Sequence, residues 1–148
     1  MTTSMPASER LGSSIKRAEQ ALNSAKHAAL KPAGLTVPQY AALLYSSEQP
    51  GISAAALARA CRVTPPTMNT VLKNLQERGL IERTPHEWHK NVLEIRLTDE
   101  GRAVLANADA RAVRVERALA AEFTDEERAA LVDLLGRCAA LLDSVREG

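Results

Sequence analysis

The chain has 148 residues, the length of a single domain with one core, and its 45% hydrophobic and 25% charged residues exclude disordered, collagen-like and low-complexity classes. Its net charge of +1 would argue against a nucleic-acid partner, yet the average hides a gradient, with +2 over residues 1–51, +3 over 52–97 and −4 over 98–148. A basic centre can present one anion-attracting face on a nearly neutral protein, the other reading being chance clustering of solvated charge.

Aromatic residues are few (Tyr40, Tyr45, Trp88 and Phe123) while Leu, Ala and Val are plentiful, a balance that favours helices closing on aliphatic seams. The residues before Ser8 show no periodicity and read as a loose end. Leu11, Ile15, Ala18, Leu22, Ala25 and Ala29 then mark a heptad-like stripe along a first helix, ended by Pro32 and Gly34. Thr36 is placed to cap a second helix, with Val37 and Pro38 in its first turn, an apolar face of Tyr40, Leu43 and Leu44, and an end near Ser47. After a Gln49-Pro50-Gly51 turn, Ser53 caps a short Ala-rich helix to about Ala60.

Cys61, Arg62 and Val63 lead to Thr64, a further N-cap before Pro65 and Pro66, and the helix it opens runs to Arg78 and stops at Gly79. Two helices joined by so short a turn have a helix-turn-helix outline. Downstream the period changes to two: Leu80–Thr84 and Leu93–Thr98 read as strands of a hairpin with a long tip at Pro85–Asn91. Thr98 caps a long helix with a stripe of Leu105, Ala108, Ala112, Val115 and Leu119. Thr124 and Glu127 form a capping box before a last helix seamed by Leu131, Leu134, Cys138, Leu141 and Val145.

The predicted fold is therefore mainly α with a small β-hairpin wing, a winged helix-turn-helix with long helices at both termini. The outward side of the helix from Pro65 carries Thr67, Asn69, Thr70, Lys73 and Asn74, groups suited to base edges and phosphates, while Val71, Leu72 and Leu75 are left for the core. An ordinary solvated polar face would look similar, but this one is poor in acids and sits in the right order of elements. Thr64 and Pro66 complete the predicted DNA-contacting set at the helix start, where a positive dipole end and free backbone N–H groups would meet phosphate, less the donors that Pro65 and Pro66 lack.

The run from Ser53 through Cys61-Arg-Val-Thr-Pro-Pro-Thr67, then Leu75-Gln-Glu-Arg-Gly-Leu-Ile-Glu-Arg83 and Leu97-Thr-Asp-Glu-Gly101, with Leu35-Thr-Val-Pro-Gln-Tyr40 ahead of them, resembles the MarR family of bacterial transcriptional regulators over residues 8–146. The resemblance implies a homodimer on a pseudo-palindromic double-stranded DNA operator, relieved by a small aromatic effector or by cysteine oxidation. It also implies one domain over 1–148, with a DNA-binding lobe at 36–98 and a dimerisation lobe from 8–35 and 99–146. The family's Asp-x-Arg wing motif falls here on His89-Lys90-Asn91, so the acid and the minor-groove arginine are both replaced. Lys90 can supply charge and Asn91 a hydrogen bond, and these three residues complete the predicted contact set.

The seamed helices either fold together within one chain or build an interface between two, and the second reading suits amphipathic helices at opposite ends of the chain. A ligand groove at the lobe junction draws on Tyr40, Tyr45, His27 and Arg111, with Tyr40 also readable as core. Trp88 is read as packed back onto the hairpin, or else as a contact residue. Cys61 and Cys138 are read as core residues without an activating base, and His86, His89 and Glu87 lack the further ligands of a metal site. No cofactor is called for, and nothing resembles a nucleophile elbow, a phosphate loop or a catalytic carboxylate pair, so the chain reads as no enzyme. With no signal-peptide pattern and no apolar run of membrane length, a cytoplasmic protein without a membrane partner is expected. The competing function is a winged-helix module for protein contacts, which the missing wing arginine keeps open.

Overall fold

The structure, a computed structural model, describes residues 4–148. In chain order the elements are α1 (Leu11–Leu30), α2 (Val37–Glu48), α3 (Ala54–Cys61), α4 (Pro65–Glu77), β1 (Ile81–Pro85), β2 (Leu93–Leu97), α5 (Asp99–Ala121) and α6 (Asp125–Glu147). The loose end expected before Ser8 lies partly outside the described residues; within them Ala7–Glu9 makes a short 3-10 turn, and Arg10 Nε donates to the Met5 carbonyl at 2.7 Å.

Side-chain caps set the helix starts. Thr36 and Gln39 form a reciprocal capping box at α2, Ser53 accepts the Ala56 N–H at α3, Thr64 accepts that of Thr67 at α4, and Thr124 with Glu127 closes a second capping box at α6. At α5 the Thr98 hydroxyl accepts the Gly101 N–H at 3.0 Å and donates to the Gly79 carbonyl at 2.6 Å, which ties the start of α5 to the end of α4. Gly34 and Gly79, at φ 77° and 73°, take the left-handed turns that follow α1 and α4.

The chain divides after Ala112 into two compact units. In the first, Leu30, Leu43, Leu57, Met68, Leu72, Leu75, Leu80 and Ile95 are fully buried and bring α2, α3, α4 and the hairpin onto one core, which Leu105, Ala108 and Ala112 of α5 extend. Met68 takes a core place not anticipated from sequence, and Val71 is only half-buried. β1 and β2 pair antiparallel, Ile81 opposite Leu97 and Arg83 opposite Ile95, and Ile52 adds a single bridge to Ile95. Ile81, Ile95 and Leu97 root the base of the hairpin in the core.

The second unit, Val113–Gly148, holds the last part of α5 and all of α6. Arg128 braces the turn between them, donating to the carbonyls of Ala120 at 2.6 Å and Phe123 at 2.9 Å. No residue of α6 is buried. Leu131, Leu134, Leu141 and Val145 of the predicted seam are exposed, and so are Leu135 and Leu142, which widen it to the i, i+3, i+4, i+7 face of a helix that packs against a partner. No helix among the described residues is long and apolar enough to cross a membrane.

Candidate nucleic-acid interface

α4 turns Met68, Leu72 and Leu75 inward, and the helical period then leaves Thr67, Asn69, Thr70, Lys73 and Asn74 exposed. Pro66, Thr70 and Lys73 follow one line at i, i+4 and i+7, and the helix's one acid, Glu77, comes only at its end. The first turn differs from expectation. Pro65 and Pro66 carry no N–H, that of Thr67 is taken by the Thr64 hydroxyl at 3.3 Å, and that of Met68 by the Thr64 carbonyl at 3.0 Å. No backbone donor of these residues is left for an anion, so any polar contact at this helix start falls to side chains. The Thr64 hydroxyl donates to that of Thr67 at 2.9 Å, so it is engaged within the cap.

Two further residues acquire roles from partners distant in sequence. Asn74 Oδ1 accepts from Gln39 Nε2 at 2.9 Å, and Arg78 donates to the Gly34 carbonyl at 3.0 Å, so the end of α4 is latched to the start of α2. Arg83 of β1 donates through Nε to Gln76 Oε1 at 2.9 Å and fixes the wing beside α4. In the turn ahead of α4, Arg62 has φ 58° and ψ 42°, a left-handed conformation that costs a residue with a Cβ about 1 kcal/mol or more, and its side chain is exposed. Nothing in the local sequence signals that conformation.

At the wing tip His86, rather than a glycine, makes the turn. Its Nδ1 accepts the backbone N–H groups of Trp88 at 3.0 Å and His89 at 3.1 Å, which leaves the proton on Nε2, 3.7 Å from Glu94 Oε1. The exposed His89 ring lies 5.3 Å from that of His86. Glu94 is paired with Arg96 at 2.5 Å, and that hydrogen bond holds its carboxyl below the usual carboxylate range. His89, Lys90 and Asn91 are all exposed. Packing of Trp88 onto the hairpin is not what the fold does: the indole is 77% exposed, because the strand face that buries Ile81 and Ile95 ends before the tip.

The four predicted ligand residues are not gathered by any described contact. Tyr40 is buried and its hydroxyl donates to Asp109 Oδ1 at 2.6 Å, a pairing across 69 positions that sequence reading missed. Arg111 is half-buried and bonds Asn107 within α5, while Tyr45 and His27 are exposed. A cleft of about 260 Å³ lies elsewhere in this unit, lined by Ser46, Ser47, Pro50, Arg96, Leu97 and Arg102. Its arginines already pair with Glu94 and Asp99. Burial pushes the Cys61 thiol up, away from the reactive thiolate, and Cys138 is half-buried. Among the described residues no three His, Cys, Asp or Glu are placed to hold a metal ion.

Comparison with known proteins matches this geometry to regulators. A family model described as MarR family covers residues 33–90. The HTH-type transcriptional repressor Rv2887 of Mycobacterium tuberculosis is 40% identical over 100 residues, 68% of this chain and 72% of its own. Its structure as a MarR family protein in complex with p-aminosalicylic acid has a TM-score of 0.68 at 33% identity, covering 88% of this chain and 98% of the other. The transcriptional repressor CouR bound to a 23-mer DNA duplex gives a TM-score of 0.81 at 32% identity, covering 89% of this chain and 94% of the other.

Proposed function

This chain belongs to the MarR family of transcriptional regulators, and from that premise we propose that it is a cytoplasmic, ligand-responsive homodimeric repressor of a pseudo-palindromic operator. It is a regulator and not an enzyme. The observation that carries the DNA-binding reading is the exposed face of α4, acid-free from Pro65 to Gln76, mounted on a helix-turn-helix. Asn69 and Thr70 read base edges, Lys73 and Arg62 hold phosphates, and Lys90 and Asn91 of the wing lie along the flank. Residues 8–35 and 99–146 form the dimerisation lobe, where a second copy covers the exposed stripe of α6 and the partly exposed stripe of α1. A small aromatic acid, the class held by the solved mycobacterial relative, is the effector, and the Tyr40–Asp109 pair, which includes one of the predicted groove residues, is its polar anchor.

Selection of duplexes from random-sequence DNA by the full-length protein, followed by a salt titration on the winner, tests this reading. Asn69→Ala or Thr70→Ala is expected to cost about 1 to 3 kcal/mol and relax preference at one position, while Lys73→Ala weakens all sequences alike and lowers the salt slope by about one. Failure to enrich any sequence, even at low salt, would leave the protein-contact module as the better account.

Arg62 gives a test of opposite signs. Arg62→Gly removes the left-handed strain, partly offset by glycine's greater unfolded entropy, for a net gain of roughly 0.5 kcal/mol. The same change removes one phosphate contact, so operator affinity and its salt slope both fall. A variant neither more stable nor weaker on DNA would place Arg62 outside the interface.

A further inference from the structure

We propose that Trp88 is the residue through which this wing engages DNA, its indole seated against the sugar walls of the minor groove at A·T-rich flanks of the operator. The inference rests on the DNA-binding reading above and adds the contact that decides flank preference. Three observations carry it.

The first is exposure on a fixed support. The base of the hairpin is rooted by Ile81, Ile95 and Leu97, while toward the tip Trp88 is 77% exposed and Val92 and Leu93 are each 41% exposed. The tip is not a loose end. His86 Nδ1 holds the N–H groups of Trp88 and His89, the His86 N–H reaches the Val92 carbonyl at 2.8 Å, and the Val92 N–H returns to that of His89 at 2.8 Å. Three exposed apolar side chains on one short, hydrogen-bonded tip, the indole foremost, offer a partner more than they offer this fold.

The second observation is electrostatic. Between Ile81 and Leu97, Glu82, Glu87 and Glu94 balance Arg83, Lys90 and Arg96. Arg83 is committed to Gln76 and Arg96 to Glu94, so Lys90 is the cation of the tip, with Glu87 three positions before it. Phosphate attraction alone is then a weak basis for wing binding, and the contact must come from surface and shape, which Trp88 offers.

The third is placement and chemistry. The Arg83–Gln76 bond sets the wing beside α4, so a duplex lying on the outward face of α4 has the tip along its flank. The walls of a minor groove are sugar C–H groups suited to an aromatic ring. Its floor at A·T pairs offers only acceptors, matching the donor-only indole N–H, whereas G·C pairs add an amino donor that repels it.

Trp88 is the chain's single tryptophan, so intrinsic emission reads the wing directly. With the full-length protein and a duplex selected as above, emission is expected to shift on binding and acrylamide quenching to fall. Trp88→Ala should weaken binding about tenfold on A·T flanks and much less on G·C flanks, with Trp88→Phe retaining part of the affinity. Unchanged emission and quenching in a duplex complex, with equal affinity for Trp88→Ala, would overturn the proposal and leave the indole to a protein partner. If no duplex is bound at low salt, the DNA-binding reading itself fails, an outcome distinct from binding with a silent tryptophan.

Discussion

Replacing Gly101 by alanine is expected to destabilise the fold by about 3 kcal/mol, among the largest costs available to a one-methyl change. A Cβ on Gly101 would lie 2.0 Å from the Leu80 carbonyl oxygen and 2.9 Å from its carbonyl carbon. These are backbone atoms, and no rotamer change can clear them. Moving Leu80 away would also strain the bond its carbonyl accepts from the Thr98 N–H at 3.1 Å, and with it the contact of the Thr98 hydroxyl to Gly79. The start of α5 and the entry to β1 are thus packed backbone to backbone, which is why the Leu97-Thr-Asp-Glu-Gly101 segment ends in glycine. Gly136 of α6 is the internal contrast, since a Cβ there meets nothing within 4 Å. Gly136→Ala should be neutral or stabilise by roughly 0.5 kcal/mol through helix propensity alone. Urea denaturation of both variants checks the pair, and an unchanged midpoint for Gly101→Ala would show that the close approach is not real.

The parts of this molecule that could be read from sequence are those fixed by near neighbours. Thr36, Ser53, Thr64 and Thr124 cap the helices they were expected to cap because a cap needs only the residue three positions on. The hairpin followed from alternation, and the inward residues Leu72 and Leu75 from the helical period. What escaped depends on tertiary partners. Gln39 finds Asn74 and Tyr40 finds Asp109 far along the chain, and Arg83 joins the wing to Gln76 across the helix–strand turn, by bonds that no periodic pattern encodes. The exposure of Trp88 is hidden for a similar reason: an indole normally finds cover, and only the register of the two strands shows that the apolar face stops short of it. At the start of α4 the two prolines are legible in the sequence, but the capture of the Thr67 and Met68 N–H groups by Thr64 is a matter of local geometry that the residue order alone does not display.

Leu141→Glu is expected to convert the protein to a monomer and to abolish tight operator binding together. α6 has no buried residue, and Leu141 is 64% exposed on a face shared with Leu134, Leu142 and Val145. Covering each such side chain stabilises by roughly 1.5 to 3 kcal/mol, so an uncovered stripe of this length is a strong drive to associate. In a two-fold dimer the substitution occurs twice, placing two carboxylates in one apolar seam, where each must be desolvated or must take up a proton. Loss of the dimer then reaches the DNA through geometry. Paired recognition helices hold two half-sites at once, and separating them turns one bivalent event into two weak ones, a loss of about 10² or more in affinity. Asp143→Lys, which alters charge on the other side of α6, should leave both association and binding in place. Light scattering at micromolar concentration and anisotropy of a labelled operator read the two effects on the same samples. A wild-type chain that is already monomeric, or a Leu141→Glu variant that stays dimeric, would show that the α6 stripe is not the interface and would move the search for the second copy's contact to the stripe on α1.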